Sequence, residues 1–162
     1  MGVSGCGKST VGAALAQALG QAFIEGDSLH PPRNVALMAA GTPLTDADRA
    51  GWLATIADKL AQAQAEGAGL VVSCSALKRS YRDLLRARCP GMRLVYLHGT
   101  AKQLASRLQA RSGHYMPASM LASQLTTLEV PSPDEQALRF DIGLPAHQIA
   151  TAAAQQLIPP AL

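Results

Sequence analysis

The stretch GVSGCGKS, Gly2 to Ser9, decides how the rest of the chain is read. It is a full Gly-x-x-x-x-Gly-Lys-Ser pattern, and one task explains every fixed residue in it. Glycines let backbone N–H groups crowd around phosphates, Lys8 reaches the terminal phosphates of a nucleotide, and the Ser9 hydroxyl is a ligand for Mg2+. The nucleotide-binding set expected from the loop is therefore Gly2, Val3, Ser4, Gly5, Cys6, Gly7, Lys8, Ser9 and Thr10, with Lys8 also catalytic and Ser9 the metal ligand. Cys6, inside the loop, reads as a small filler.

Beyond the loop, Val11, Leu15 and Leu19 stand four apart on one helical face that Gly20 closes. AFIEGD, residues 22–27, is apolar and then abruptly acidic, the pattern of a buried parallel strand whose carboxyl end meets solvent. A short helix entered through prolines ends at Gly41. A longer one starts near Thr45 or Asp46 and carries Trp52, Leu53 and Ile56 toward the core. Further strands are expected at LVVSCS (70–75), RLVYLHG (93–99) and ALRFDIG (137–143), separated by helices. Strands alternating with helices imply an α/β fold, a parallel sheet covered on both faces, with ligands at the carboxyl ends of its strands. That edge is expected to hold Asp27, Ser75, His98 and Asp141.

The totals narrow the function. The 162 residues, 48% hydrophobic and 15% charged, suit one domain with a single core over 1–162. Net charge is only +3 with 4% aromatic residues, unlike a nucleic-acid surface of clustered bases and stacking rings, so no nucleic-acid partner is expected. Neither a run of eighteen apolar residues nor a signal-peptide pattern is present; the expectation is no membrane partner and a cytoplasmic location. Three cysteines without metal-type spacing fit a reducing compartment.

A phosphate loop implies a nucleoside triphosphate, ATP, and leaves the acceptor open. Five segments speak to it: GVSGCGKST, EGDSLHPPRN, G-x-PLTDADR-x-x-WL, CSALKRSYRDLLR, and ARSGHYMP-x-x-x-L-x-SQ-x-x-x-LE-x-P. In this order and spacing, over about two thirds of the chain, they resemble the gluconate kinases. The resemblance implies a P-loop three-layer αβα kinase fold with a parallel sheet of order 2-3-1-4-5. It implies transfer of a phosphoryl group from ATP to D-gluconate, giving 6-phosphogluconate and ADP, in a homodimer. Alternatives are a kinase of another small hydroxy acid such as shikimate, or an ATP-binding relative without catalysis.

Asp27, at a strand exit near the expected phosphates, is the candidate to accept or orient the proton of the attacking hydroxyl. Glu25 is a candidate to support Mg2+ through water. A polyol carboxylate needs fixed cations and hydrogen-bonding groups, and His30, Arg33, Arg49, Lys78 and Arg82 lie in the matching segments. Which of them takes the carboxylate is left open. Arg107 and Arg111, four apart, begin a lid-like segment at about 107–125 and are assigned to ATP, with Arg111 also catalytic. His114, in the same segment, is assigned to the acceptor as a hydrogen-bonding or gating group. The DIGLP segment resembles the one that holds adenine through backbone groups.

In folds with this loop a buried strand runs directly into it, between the strands holding Val71 and Val95. Here only Met1 precedes Gly2. The first strand is thus expected to be largely missing. About five absent apolar residues at roughly 1.5–3 kcal/mol each rival the stability of a whole domain, about 5–15 kcal/mol. The expectation is that the natural protein has upstream residues and that Met1 is internal to it.

Overall fold

The computed structural model describes residues 1–110 and 118–158. Its strands are β1 (Ala22–Glu25), β2 (Leu70–Ser73), β3 (Val95–His98) and β4 (Leu138–Asp141). Its helices are α1 (Lys8–Leu19), α2 (Pro32–Ala39), α3 (Asp46–Ala65), α4 (Arg79–Arg88), α5 (Ala101–Gln109), α6 (Ala118–Thr127) and α7 (Ala146–Leu157). Helix boundaries follow local chemistry. Gly20 takes φ 63° beyond α1, a conformation open to glycine without a Cβ penalty. Thr45 caps α3 in a reciprocal box with Asp48, and Thr100 caps α5 in the same way with Gln103.

β1 pairs with β2 and β3 with β4, both parallel, with Glu25 opposite Ser73 and His98 opposite Asp141. Asp27 and Ser75 lie just beyond the carboxyl ends of β1 and β2, and His98 and Asp141 stand at the carboxyl ends of β3 and β4. The described strands do not form the single sheet of order 2-3-1-4-5. They make two separate two-stranded sheets, and between β2 and β3 run only Met1 and Gly2. Met1 bonds to β3 through Val95 and Leu97, and Gly2 donates to the Ser75 carbonyl just beyond β2.

Layering is visible within β2 itself. Val71 packs into the cluster of Val11, Leu15, Leu97 and Ile149, whereas its neighbour Val72 packs with Trp52, Ile56, Tyr81 and Leu85. Successive strand residues point to opposite faces, so the two clusters lie on the two sides of the strand. Helices α1 and α7 pack together in one layer, and α3 and α4 in the other. Burying Trp52, Leu53 and Ile56, each at most 2% exposed, contributes roughly 1.5–3 kcal/mol apiece and fixes α3 under the β2 exit.

Candidate active site

The phosphate loop is shaped by backbone that only glycine takes easily. Gly2, Gly5 and Gly7 have φ of 144°, 82° and 90°. A Cβ on Gly2 would also sit 2.6 Å from the Leu97 carbonyl and 2.8 Å from Cys6 Sγ, so the chain passes there only without a side chain. Cys6 is 1% exposed, a packing residue as its size suggested.

The start of α1 contrasts with that of α3. It has no side-chain cap and no acidic residue in its first turn, whereas α3 carries both a cap and two acids. Its leading N–H groups are left to an anion, and the helix dipole favours one there. Lys8 Nζ donates to the Val3 carbonyl at 3.2 Å, which holds the ammonium across the loop. Gln124 of α6 accepts from Ser4 N at 2.7 Å, giving the Ser-Gln pair of the fifth segment a physical task.

Beside the loop lies a cavity of about 270 Å³ between Gly5–Gly7, Arg107 and the segment after β4, including Leu144. Arg107 donates to the Ile142 carbonyl. A Cβ on Gly7 would stand 3.6 Å from its Nη1, so the guanidinium leans on the phosphate loop. Arg111 and His114, and with them most of the segment between α5 and α6, lie outside the described residues.

On the other side, β1 stops at Glu25, and Asp27 sits on a 3₁₀ turn over Gly26–Leu29. The strand was expected to reach Asp27; the reason it stops is Gly26. A Cβ there would lie 2.0 Å from the Ser73 carbonyl. The turn is pinned by Ser73 Oγ accepting from Gly26 N at 3.1 Å and by Trp52 Nε1 donating to the Gly26 carbonyl at 2.7 Å. Because the chain turns, Glu25 and Asp27 are no longer alternate residues of one strand. Glu25 instead accepts from the Ser73 hydroxyl.

Asp27 is exposed on this turn. Burial pushes the Cys74 thiol up to about 11, an effect that Lys8 opposes and Asp27 reinforces. His30 stacks on Trp52 with ring centroids 4.1 Å apart. Burial lowers its pKa, an effect that Asp27 opposes and Arg49 reinforces.

The five acceptor-side groups, four cations and an imidazole, do not share one fate. Arg82 is 1% exposed. Its Nε and Nη2 hold both oxygens of Glu135, at 2.5 and 2.8 Å, and its Nη1 donates to the Ala76 and Leu77 carbonyls. The expectation that Arg82 meets a substrate is therefore corrected: its fork is consumed inside the protein. Ala76, forced to φ 44°, is the residue whose carbonyl it holds. Lys78 Nζ contacts both oxygens of Asp46 at 2.8 Å, and Tyr81 donates to the same carboxylate. Arg33 points outward, 81% exposed, 3.7 Å from Asp48. Arg49 spends one N–H on the Leu44 carbonyl and lies 5.9 Å from the Tyr81 ring centroid. It makes no ion pair among the described residues.

Ser73, Asn34, Asp46 and Glu135 were not foreseen as contributors. Asn34 is 2% exposed and ties His30 Nδ1 (3.3 Å) to the Asp48 carbonyl (2.7 Å). The four-residue spacing of His30 and Asn34 was the available signal. Ser73 and Glu135 are partners across 47 and 53 residues, which no local pattern announces.

A glycine loop opening an uncapped helix, parallel strands with both faces covered, and a carboxylate on the adjacent strand exit define a P-loop kinase of small molecules. Comparisons with known proteins agree. The shikimate kinase family model matches residues 4–137. A gluconokinase of Gluconobacter oxydans (strain 621H) is 55% identical over 139 residues, 86% of this chain and 78% of its own. The thermoresistant gluconokinase of Escherichia coli (strain K12) is 44% identical over 150 residues, 92% of this chain and 86% of its own. The crystal structure of a gluconokinase from Sinorhizobium meliloti 1021 superposes with a TM-score of 0.88 at 50% identity, covering 97% of this chain and 90% of that one. The chain belongs to the gluconokinase family, within the shikimate-kinase-like P-loop kinases.

Proposed function

We propose that the chain transfers the γ-phosphoryl group of ATP to D-gluconate, giving 6-phospho-D-gluconate and ADP. The observation that carries this is a phosphate loop with Lys8 held across it, with Asp27 exposed on the turn that follows β1, in a chain 55% identical to a gluconokinase. An acceptor hydroxyl oxygen bonds to the γ-phosphorus, the bond to the β–γ bridging oxygen breaks, and the hydroxyl proton passes to Asp27. Lys8, the loop amides and Arg107 bind the phosphates and offset their charge. Ser9 is exposed at the helix start, and its hard hydroxyl oxygen, with phosphate oxygens, suits Mg2+, which keeps few protein ligands. When bound, the ion supplies charge neutralisation at the phosphates.

Arg49 is the cation we assign to the gluconate carboxylate. Arg82 is buried, Lys78 is held by Asp46 and Arg33 faces solvent, whereas Arg49 makes no ion pair among the described residues and spends one N–H on the Leu44 carbonyl. His30, whose pKa is lowered chiefly by burial, serves as a hydrogen-bonding group for hydroxyls. The same reading makes the partners small molecules rather than nucleic acid, the location cytoplasmic and the assembly a homodimer.

A coupled ADP-release assay over a panel of polyol acids, with shikimate included, tests the reaction. Gluconate is expected to give the highest turnover. A rate with gluconate no greater than with water alone rejects the proposal.

A further inference from the structure

One peptide group of the phosphate loop is held from both ends. Between Val3 and Ser4, the carbonyl accepts from Lys8 Nζ at 3.2 Å and the N–H donates to Gln124 Oε1 at 2.7 Å. In a trans peptide these two groups lie in one plane and point in opposite directions. An acceptor fixed on the N–H side therefore sets the direction in which the carbonyl faces, and that is toward the Lys8 ammonium. The same carbonyl also accepts from Cys6 N at 3.3 Å. That bond closes a turn over Ser4 and Gly5, with Gly5 at φ 82°.

Gln124 is itself fixed. Leu121, Gln124, Leu125 and Leu128 follow the helical spacing of one face of α6, and Leu128 N, just past its end, still donates to the Gln124 carbonyl at 2.9 Å. The three leucines pack in the cluster that also holds Val3 and Cys6 of the loop. Gln124 is thus the polar member of an apolar stripe. Packing alone gives no reason for an amide at that place, where leucine has a similar size; the Ser4 N–H that meets its oxygen does. Past the helix, Glu129 N donates to the Leu77 carbonyl at 2.9 Å and the Glu129 carboxylate accepts from Arg79 N. Any slide of α6 along the loop breaks bonds at both places.

We propose that Gln124 is a positioning residue for Lys8, acting through the Val3–Ser4 peptide. This rests on the reading of Lys8 as the ligand of the terminal phosphates. With the Gln124 oxygen in place, a turned-over peptide sets the Val3 carbonyl against another acceptor and the Ser4 N–H against an ammonium, two like contacts where there were two hydrogen bonds. Without that oxygen the peptide is free to turn, and the ammonium loses the carbonyl that holds it across the loop. Lysine carries a compact charge on a flexible four-carbon stem. The direction of one carbonyl therefore decides where that charge waits for the nucleotide. Ser4 and Gln124 are 120 residues apart, so the aim of Lys8 is set by α6 as well as by the loop itself.

A double-mutant cycle on affinity for a nonhydrolysable ATP analogue, measured by calorimetry without gluconate, tests this. Gln124→Leu keeps the bulk of the side chain and removes the acceptor; it is expected to weaken the analogue about 10-fold with Tm little changed. Lys8→Met is expected to weaken it by about 10-fold or more. In the double variant, Gln124→Leu is expected to add no more than about two-fold to the effect of Lys8→Met, because its own effect passes through the ammonium. Full additivity overturns the proposal, since a residue that merely packs the loop costs the same with or without Lys8. Gln124→Glu gives a second readout. A carboxylate only accepts, so it enforces the present direction of the peptide, and amide hydrogen exchange at Ser4 is expected to stay within about three-fold of the parent, against an acceleration of about 10-fold or more in Gln124→Leu. Equal Ser4 exchange in the parent and Gln124→Leu overturns the proposal as well. Should Gln124→Leu fail to fold, loss of Ser4 protection in Gln124→Glu overturns it instead. Unchanged affinity in Lys8→Met rejects the nucleotide reading of the loop together with this proposal, whereas additivity rejects this proposal alone.

Discussion

The two sides of the site are built from different materials. The nucleotide side is backbone: glycines at positive φ, free N–H groups at the start of α1, and a cavity beside them. The acceptor side is side chains in competition, where cations of similar appearance end in an internal ion pair, an exposed pair with Asp46, a solvent-facing position, or, for Arg49, a place with no ion-pair partner among the described residues. A phosphate loop can be recognised from spacing because its geometry is local. A carboxylate-binding arginine cannot, because its availability depends on which distant carboxylates have already claimed its neighbours.

The largest effect expected from testing this contrast is at the point where the two sides meet. Asp27→Asn keeps the size of the side chain and removes its basicity, so turnover is expected to fall by about 10²–10⁴ while affinity for an ATP analogue, measured by calorimetry, stays within two-fold. Unchanged turnover would remove Asp27 from the chemistry. Next come the two arginines. Arg82→Leu takes from the buried Glu135 its two-pronged partner, leaving only Arg79 and Arg86 at 3.8 and 3.9 Å, and is expected to cost up to about 3–5 kcal/mol in urea denaturation. Arg49→Gln is expected to leave the denaturation midpoint in place and raise the KM for gluconate about 10-fold to 100-fold. If the two substitutions exchanged phenotypes, the assignment of roles on the acceptor side would be reversed.

A smaller effect is expected from pH. Arg82 holds the Glu135 carboxylate at about 2, against an ordinary 4.5. A carboxylate with a depressed folded-state pKa contributes stability that is fully present above its unfolded value. That contribution is lost as pH falls from about 4.5 toward 2. Midpoints measured across this window should decline less steeply in a double variant, Arg82→Leu with Glu135→Leu, than in the parent. The smallest effects belong to the outward cations. Arg33→Gln and Lys78→Gln are expected to change Tm little and the gluconate KM by no more than a few-fold, since exposed pairs contribute little.

Much of the fold was legible because its signals are short-range. Val11, Leu15 and Leu19 with Gly20 mark α1, Thr45 marks the start of α3, and each apolar run marks a strand. The sheet was less so. Pairing between β2 and β3 requires whatever lies between them, and in the described residues that place is taken by Met1 and Gly2 alone. In the site, the loop was readable; the turn at Gly26 was not, because the Ser73 backbone that approaches it lies 47 residues away. The withdrawal of Arg82 was not, because Glu135 lies 53 residues away and nothing in the local pattern of either residue points to the other.

Trp52 is the chain's one tryptophan, and its indole joins the Gly26 carbonyl on one side to the His30 ring on the other. Its emission is therefore a native optical reporter of the acceptor end of the site, blue-shifted by enclosure and sensitive to any displacement of the imidazole. Titrating gluconate against that signal measures occupancy without a label, and titrating nucleotide alone against it reveals whether the phosphate side is felt across the enzyme before any acceptor arrives.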